Sequence, residues 1–142
     1  MAIKKEPRGL RNCNPGNIRI NGDLFKGELR PSRDSQFKTF VSMGYGYRAM
    51  FKTLDTYIRR YRLDTVEKII ARWAPMNENN TSAYIRLVEK YSGIPRDKAV
   101  STDDANGMCA IVAAMSRVEN GVQASMPEVE RGWRLFTNGG EE

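Results

Sequence analysis

The sequence predicts an α+β fold dominated by helix, with a small N-terminal β-hairpin region followed by about five helices. Three observations predict it. The first 40 residues are rich in turn formers and hold only short β-type runs. The segments after Val41 repeat apolar residues at helical spacing, and most of them open on a capping residue and stop at Gly or Pro. The chain has 142 residues and no internal repeat, low-complexity tract or linker, so one domain over residues 1–142 is expected.

Taken in order, Asn17–Ile20 reads as a strand, Asn21-Gly22 as a type I′ hairpin turn and Asp23–Lys26 as the returning strand. Gln36–Phe40 adds a third short strand. Ser42 caps a helix running to about Tyr61, whose apolar face carries Tyr47, Met50, Phe51, Leu54, Ile58 and Tyr61. Asp64 with Glu67 forms a capping-box pattern for a helix bearing Val66, Ile69, Ile70 and Trp73, which Pro75 ends. Asn80 or Thr81, within Asn79-Asn80-Thr81, opens the next, with Tyr84, Ile85, Val88 and Tyr91 inward and Gly93 after its end. A fourth helix starts at Ser101–Asp103 and runs to Glu119, ahead of Asn120-Gly121. Ser125 with Glu128 opens a last one carrying Val129, Trp133 and Phe136.

Composition narrows the chemistry. There is no run of 18 apolar residues to cross a membrane and no basic-then-apolar N-terminal leader of the Sec type. With no histidine, Ser-His-Asp and Cys-His catalysis and His-ligated metal sites are excluded. Cys13 and Cys109 are too few for a structural zinc site and read as free thiols, Cys109 packing as a small hydrophobe. No metal or cofactor is called for, and an enzyme built from this inventory would work with carboxylates. The net charge of +6 suits an anionic partner, whether nucleic acid, a membrane surface or a bacterial wall, or simply keeps the chain in solution. The basic cluster Arg59-Arg60-Tyr61-Arg62 falls at a helix end, where cations suit the dipole. No recognition-helix or aromatic-sheet signature accompanies it, which weighs against nucleic acid.

One carboxylate sits out of pattern. On an ideal helix Glu119 lies about 20° from Met108, about 20° from Val112 on the other side and about 40° from Met115, so it falls on the apolar stripe. A carboxyl there, at the negative end of a helix, is disfavoured in its ionised form and suited to serve as a general acid. The alternative is a frayed helix end, with Glu119 in water or paired with Arg117. A glycosidase needs such an acid and often a second carboxylate. Asp23, Glu28 and Asp34 are available in the β region, with Asp34 the leading candidate ahead of the Gln36–Phe40 strand and a turn residue otherwise. Glu78 is a further candidate.

The segment Arg8-Gly9-Leu10-Arg11-Asn12-Cys13-Asn14-Pro15-Gly16-Asn17-Ile18-Arg19 resembles the "RGIRNNNPGNIR" opening of a phage and prophage family of virion structural proteins. Further matching segments are Asp34–Phe37, Gly46–Met50, Trp73-Ala74-Pro75, Glu78–Thr81, Tyr84-Ile85 and Glu119-Asn120-Gly121. Cys13 replaces the family's Asn, and Phe25-Lys26-Gly27 stands where the family has Trp-x-Gly. The Glu119-Asn120-Gly121, Asn14–Arg19 and Tyr84–Val88 segments are also similar, in a different chain order, to elements of bacterial N-acetylglucosaminidases and lytic transglycosylases.

These resemblances imply a circularly permuted lysozyme-like domain that cleaves the β-1,4 bond of peptidoglycan. Glu119 and Asp34 would be catalytic, and Asn12, Asn14, Asn17, Arg19, Phe25, Tyr47 and Tyr84 would bind substrate. Arg48 would pair with a carboxylate of the site. The implied partners are glycan strands and other virion proteins. Such a protein would be made in the host cytoplasm and reach the wall through a holin, a particle or a secretion machine. The competing expectation is a non-enzymatic virion protein that binds the wall. Read from residues alone, the asparagines are equally turn supports, and Tyr47, Trp73 and Tyr84 are core side chains.

Overall fold

A computed structural model describes residues 6–75 and 80–139. It is mainly helical with one small two-stranded antiparallel sheet. The elements are α1 (Arg8–Arg11), β1 (Glu28–Leu29), β2 (Thr39–Phe40), α2 (Met43–Tyr61), α3 (Val66–Trp73), α4 (Thr81–Ser92), α5 (Ala105–Asn120) and α6 (Met126–Thr137). Glu28 faces Phe40 and Leu29 faces Thr39 in the sheet.

The long helices form where periodicity and caps agree. The Ser42 side chain accepts from the Tyr45 amide, Asn80 from Ala83 and Asp104 from Gly107, each satisfying an amide the helix leaves open. Gly93 and Gly121 close α4 and α5 in the left-handed conformation that glycine adopts without strain. At α3 the cap is Thr65 rather than Asp64: the Thr65 hydroxyl accepts from Lys68, which pulls the start one residue later. The fourth predicted helix likewise begins after Asp104, beyond Ser101–Asp103. Ser125 holds the cap position of α6 with no side-chain bond, so the second predicted capping box does not form.

The predicted Asn21-Gly22 hairpin is absent. Asn21 Oδ1 accepts from the Asp23 amide at 3.0 Å, a local turn that competes with strand pairing. Arg19 instead makes an isolated antiparallel bridge with Phe37, and the ladder forms farther on. The one-turn helix α1 was not expected.

The core lies among α2, α3, α4, α5 and α6, with Met50, Phe51, Leu54, Ile69, Ile70, Val88, Met108, Ile111, Met115 and Val129 fully enclosed. Helix α6 crosses α2 at close range. A Cβ at Gly132 would lie 2.5 Å from the Tyr47 Cβ, so only glycine allows that approach. Phe51 then meets Trp133 edge-on at 5.2 Å and stacks with Phe136 at 6.0 Å. Among the described residues, no helix is long and apolar enough to cross a membrane.

Candidate active site

The N-terminal segment is stitched to the helical body before it contributes anything to a site. Asn14 is fully buried. Its amide donates to the Ile18 and Lys38 carbonyls at 3.0 and 2.9 Å while its oxygen accepts from the Ile18 amide at 3.0 Å, closing the 14–18 loop and tying it to the strand region. Asn120, in the last turn of α5, donates to the Pro15 carbonyl at 2.8 Å. Gly9 packs against the same place, for a Cβ there would lie 2.5 Å from Asn120 Oδ1 and 2.8 Å from Asn17 Oδ1. The loop places Asn17 beside the end of α5 with φ of 50°, a left-handed conformation that Asn tolerates better than most residues.

This construction aims Asn17 at Glu119. Asn17 Nδ2 donates to Glu119 Oε1 at 3.0 Å, Tyr84 OH donates to Oε2 at 2.8 Å, and Trp73 Nε1 approaches Oε2 at 3.4 Å. One carboxyl group thus receives donors from the N-terminal loop, from α3 and from α4. Burial and the neighbouring Glu119 carboxylate hold the Tyr84 phenol well above the usual tyrosine pKa, so it stays a proton donor to that oxygen.

Glu119 also lines an open cleft of about 630 Å³. Helices α2 and α3 contribute Lys52, Thr53, Thr56, Tyr57, Tyr61, Arg72 and Trp73. The N-terminal loop contributes Gly16–Arg19, Asn21, Asp23 and Phe25, and Phe37 adds a further ring. Among the described residues, two carboxylates line it, Glu119 and Asp23. The size and the mix of aromatic and polar groups suit a sugar chain.

Of the expected site residues, Glu119, Asn17, Arg19 and Phe25 line the cleft, while Tyr84 is buried and contacts Glu119 without lining the cleft, so it does not face a substrate as expected. Four others do not reach it. Asp34 is held by Arg8, whose guanidinium donates to both oxygens at 2.7 Å, by Asn12 at 3.1 Å and by the amides of Gln36 and Phe37. Those bonds keep its carboxyl well below the usual aspartate pKa, the Arg8 pair foremost, and occupy the oxygens a water-activating base would use. Asn12 is spent on Asp34 and on Thr39 rather than on the cleft. Asn14 is sealed in its loop. Tyr47 is buried between helices with its hydroxyl 2.9 Å from Ser116 Oγ.

Arg48 is also buried away from the cleft, and no carboxylate pairs with it among the described residues. Glu28 is committed to Lys38. Glu78 and Asn79 lie outside the described residues. Glu119 does not pair with Arg117, whose guanidinium lies 4.1 Å from the Tyr91 ring centroid.

Sequence reasoning missed Trp73, which reads as core because it shares a face with Ile69 and Ile70; its place immediately before the Ala-Pro stop was the available clue. Both thiols are free. Burial raises Cys13 and pushes Cys109 up to about 11, so neither is a ready thiolate nucleophile at neutral pH. Among the described residues, no group of three or more Cys, Asp or Glu side chains is arranged to hold a metal ion.

No protein-family profile matches the chain. Over 135 residues, 92% of this chain and 82% of the relative, it is 37% identical to Protein P5 of Pseudoalteromonas phage PM2.

Proposed function

We propose that this chain, which belongs to the phage protein family represented by the PM2 Protein P5, is a lysozyme-like glycosidase of the bacterial wall, with Glu119 as its acid. The observation that carries this reading is the carboxyl of Glu119, which lines a sugar-sized cleft while gripped by donors from three separate segments. Surface glutamates that merely solvate a helix end have no use for such an arrangement.

In the reaction Glu119 gives its proton to the glycosidic oxygen and is left with a new negative charge. The hydrogen bonds from Tyr84, Asn17 and Trp73 strengthen as that charge arrives, which lowers the barrier rather than the ground state. Bond cleavage leaves positive charge on the sugar ring. Asp23, the other carboxylate lining the cleft among the described residues, takes the role expected of Asp34, positioning the water that completes hydrolysis. If the sugar's own 6-hydroxyl attacks instead, no second carboxylate is needed and the product carries an anhydro end. Phe25 offers a ring on which a sugar face can rest, whereas the Phe37 ring already carries the Arg8 and Arg19 guanidinium groups at 4.7 and 5.2 Å from its centroid. The protein reaches the wall as a lytic enzyme or as part of a particle.

Digestion of purified peptidoglycan by wild type and by Glu119→Gln, with products read by mass spectrometry, tests this directly. The expected result is soluble muropeptides from wild type and a loss of about 10²–10⁴-fold in the variant, the contribution typical of a general acid. Anhydro ends would select the intramolecular route. Equal activity in both proteins would remove Glu119 from the chemistry, and silence from both, with wall binding kept, would make this a wall-binding module.

A further inference from the structure

The cleft is more cationic than a neutral sugar requires. Arg72 lies with its guanidinium carbon 5.2 Å from the Tyr61 ring centroid and 5.9 Å from that of Tyr57. Two tyrosines on one face of α2 thus hold the charge in a fixed place on the cleft wall. Lys52, one turn earlier on α2, lines the same cleft. Among the described residues neither cation has a carboxylate within ion-pair distance, whereas Arg8, Arg59 and Arg96 each have one. Arg72 also directly precedes Trp73, whose indole approaches the acid. An oriented guanidinium and an ammonium, with no ion-pair partner among the described residues and on the wall of the cleft that Glu119 lines, form a receptor for a planar anion.

We propose that Arg72 and Lys52 form a carboxylate subsite, which takes an acidic substituent of the glycan and makes the cleft select substituted strands over plain N-acetylglucosamine polymer. The proposal rests on the glycosidase reading for the identity of the glycan, though not on turnover. Peptidoglycan carries carboxylates on its peptide stems, and on its lactyl arms wherever no stem is attached, whereas chitin carries none. The two tyrosine rings hold the Arg72 guanidinium in place, so less side-chain freedom remains to be lost when the anion arrives.

Co-sedimentation of the full-length Glu119→Gln variant, in which turnover is stopped, separates these sources. Three probes serve: intact peptidoglycan, glycan strands freed of their stems by an amidase and coupled to beads, and chitin. Binding to one or both carboxylate-bearing probes about five- to tenfold tighter than to chitin is expected. That preference should collapse on adding Arg72→Gln and Lys52→Gln, and shrink in salt that screens exposed charge. Tighter binding to intact than to stripped material assigns the anion to the stems, and tighter binding to stripped material than to both intact material and chitin assigns it to the lactyl arm. Equal affinity for all three probes, no binding to any, or a preference that survives both substitutions would overturn the subsite. Failure of the wild type to release muropeptides would instead strike the glycosidase reading and leave this binding order to be measured separately. Both side chains are exposed, so the variants should melt with the parent.

Discussion

Replacing Tyr84 by Phe removes one oxygen and little else. The ring stays packed among Ile85, Val88 and their neighbours, and Glu119 Oε2 loses its shortest bond, the 2.8 Å contact, keeping only the longer approach from Trp73 at 3.4 Å. A hydrogen bond to a charged acceptor is worth about 1.5–3 kcal/mol, and each 1.36 kcal/mol of transition-state stabilisation is about tenfold in rate. If most of that bond's strength arrives with the charge on Glu119, kcat on peptidoglycan should fall by about 10- to 150-fold. KM should barely move, because the bond is made to the catalyst and not to the sugar. Stability should change by about 1 kcal/mol or less, since Glu119 borders the cleft and water can replace the lost donor. The assay is initial-rate release of soluble muropeptides, run with thermal melts of the same preparations. The decisive control is the pair: in a Glu119→Gln background, Tyr84→Phe should cost almost nothing further. A single variant with unchanged kcat, or a double variant whose losses simply add, would refute the idea that Tyr84 acts through Glu119.

The N-terminal segment and the strand region make further tests. Gly9→Ala should destabilise by about 1–3 kcal/mol, seen as a lower Tm, because its methyl would press on Asn120 Oδ1 at 2.5 Å and on the Asn14 carbonyl at 2.8 Å. Lys38→Met should cost about 3 kcal/mol or more in urea unfolding, since Lys38 Nζ bonds both Glu28 oxygens at 2.9 and 3.0 Å from a fully buried position. Part of that should return on adding Glu28→Gln, which removes a buried charge then left to Arg30, at 3.0 Å. Asp34→Asn should lower stability at neutral pH by about 1–2 kcal/mol through weakened bonds to Arg8 and the loop amides. Because the folded pKa of Asp34 lies below its unfolded value, the wild-type advantage is full above the ordinary aspartate pKa of about 3.9 and shrinks as pH falls below it. Melts at pH 7 and pH 3 should therefore show the gap between the two proteins narrowing; a gap that widens in acid would reverse the assignment.

What could be read from the chain, and what could not, divides along physical lines. Helices α2 to α6 were legible because burial imposes a 3.6-residue period on their apolar residues, and Glu119 stood out because it broke that period. The N-terminal 40 residues were not, because their order comes from side chains bonding to distant backbone. Asn-Gly at 21–22 is a strong hairpin signal, yet the Asn21 side chain satisfies the Asp23 amide itself and the pairing moves elsewhere. Asp34 looked free to act because Arg8, its partner, lies 26 positions away. Asn12, Asn14 and Asn17 were indistinguishable as letters: two are bound into the scaffold and one points at the acid. The difference rests on a left-handed φ at Asn17 that composition does not announce. Trp73 and Tyr84 both sat on apolar helix faces, and only packing reveals that their polar ends meet at one carboxyl.

The grip on Glu119 joins residues separated by 102, 46 and 35 positions along the chain. The reactive centre therefore has no local precursor. A nascent or partly collapsed polypeptide holds the glutamate without its donors, and these contacts are among the last that loop closure would favour. On the proposed glycosidase reading, catalytic competence would be a readout of complete folding, acquired in one step rather than built up with length. The same wiring runs in reverse. Detachment of the short N-terminal segment, a small opening that leaves α2 to α6 packed, would take Asn17 off the carboxyl and silence the centre long before the protein melts.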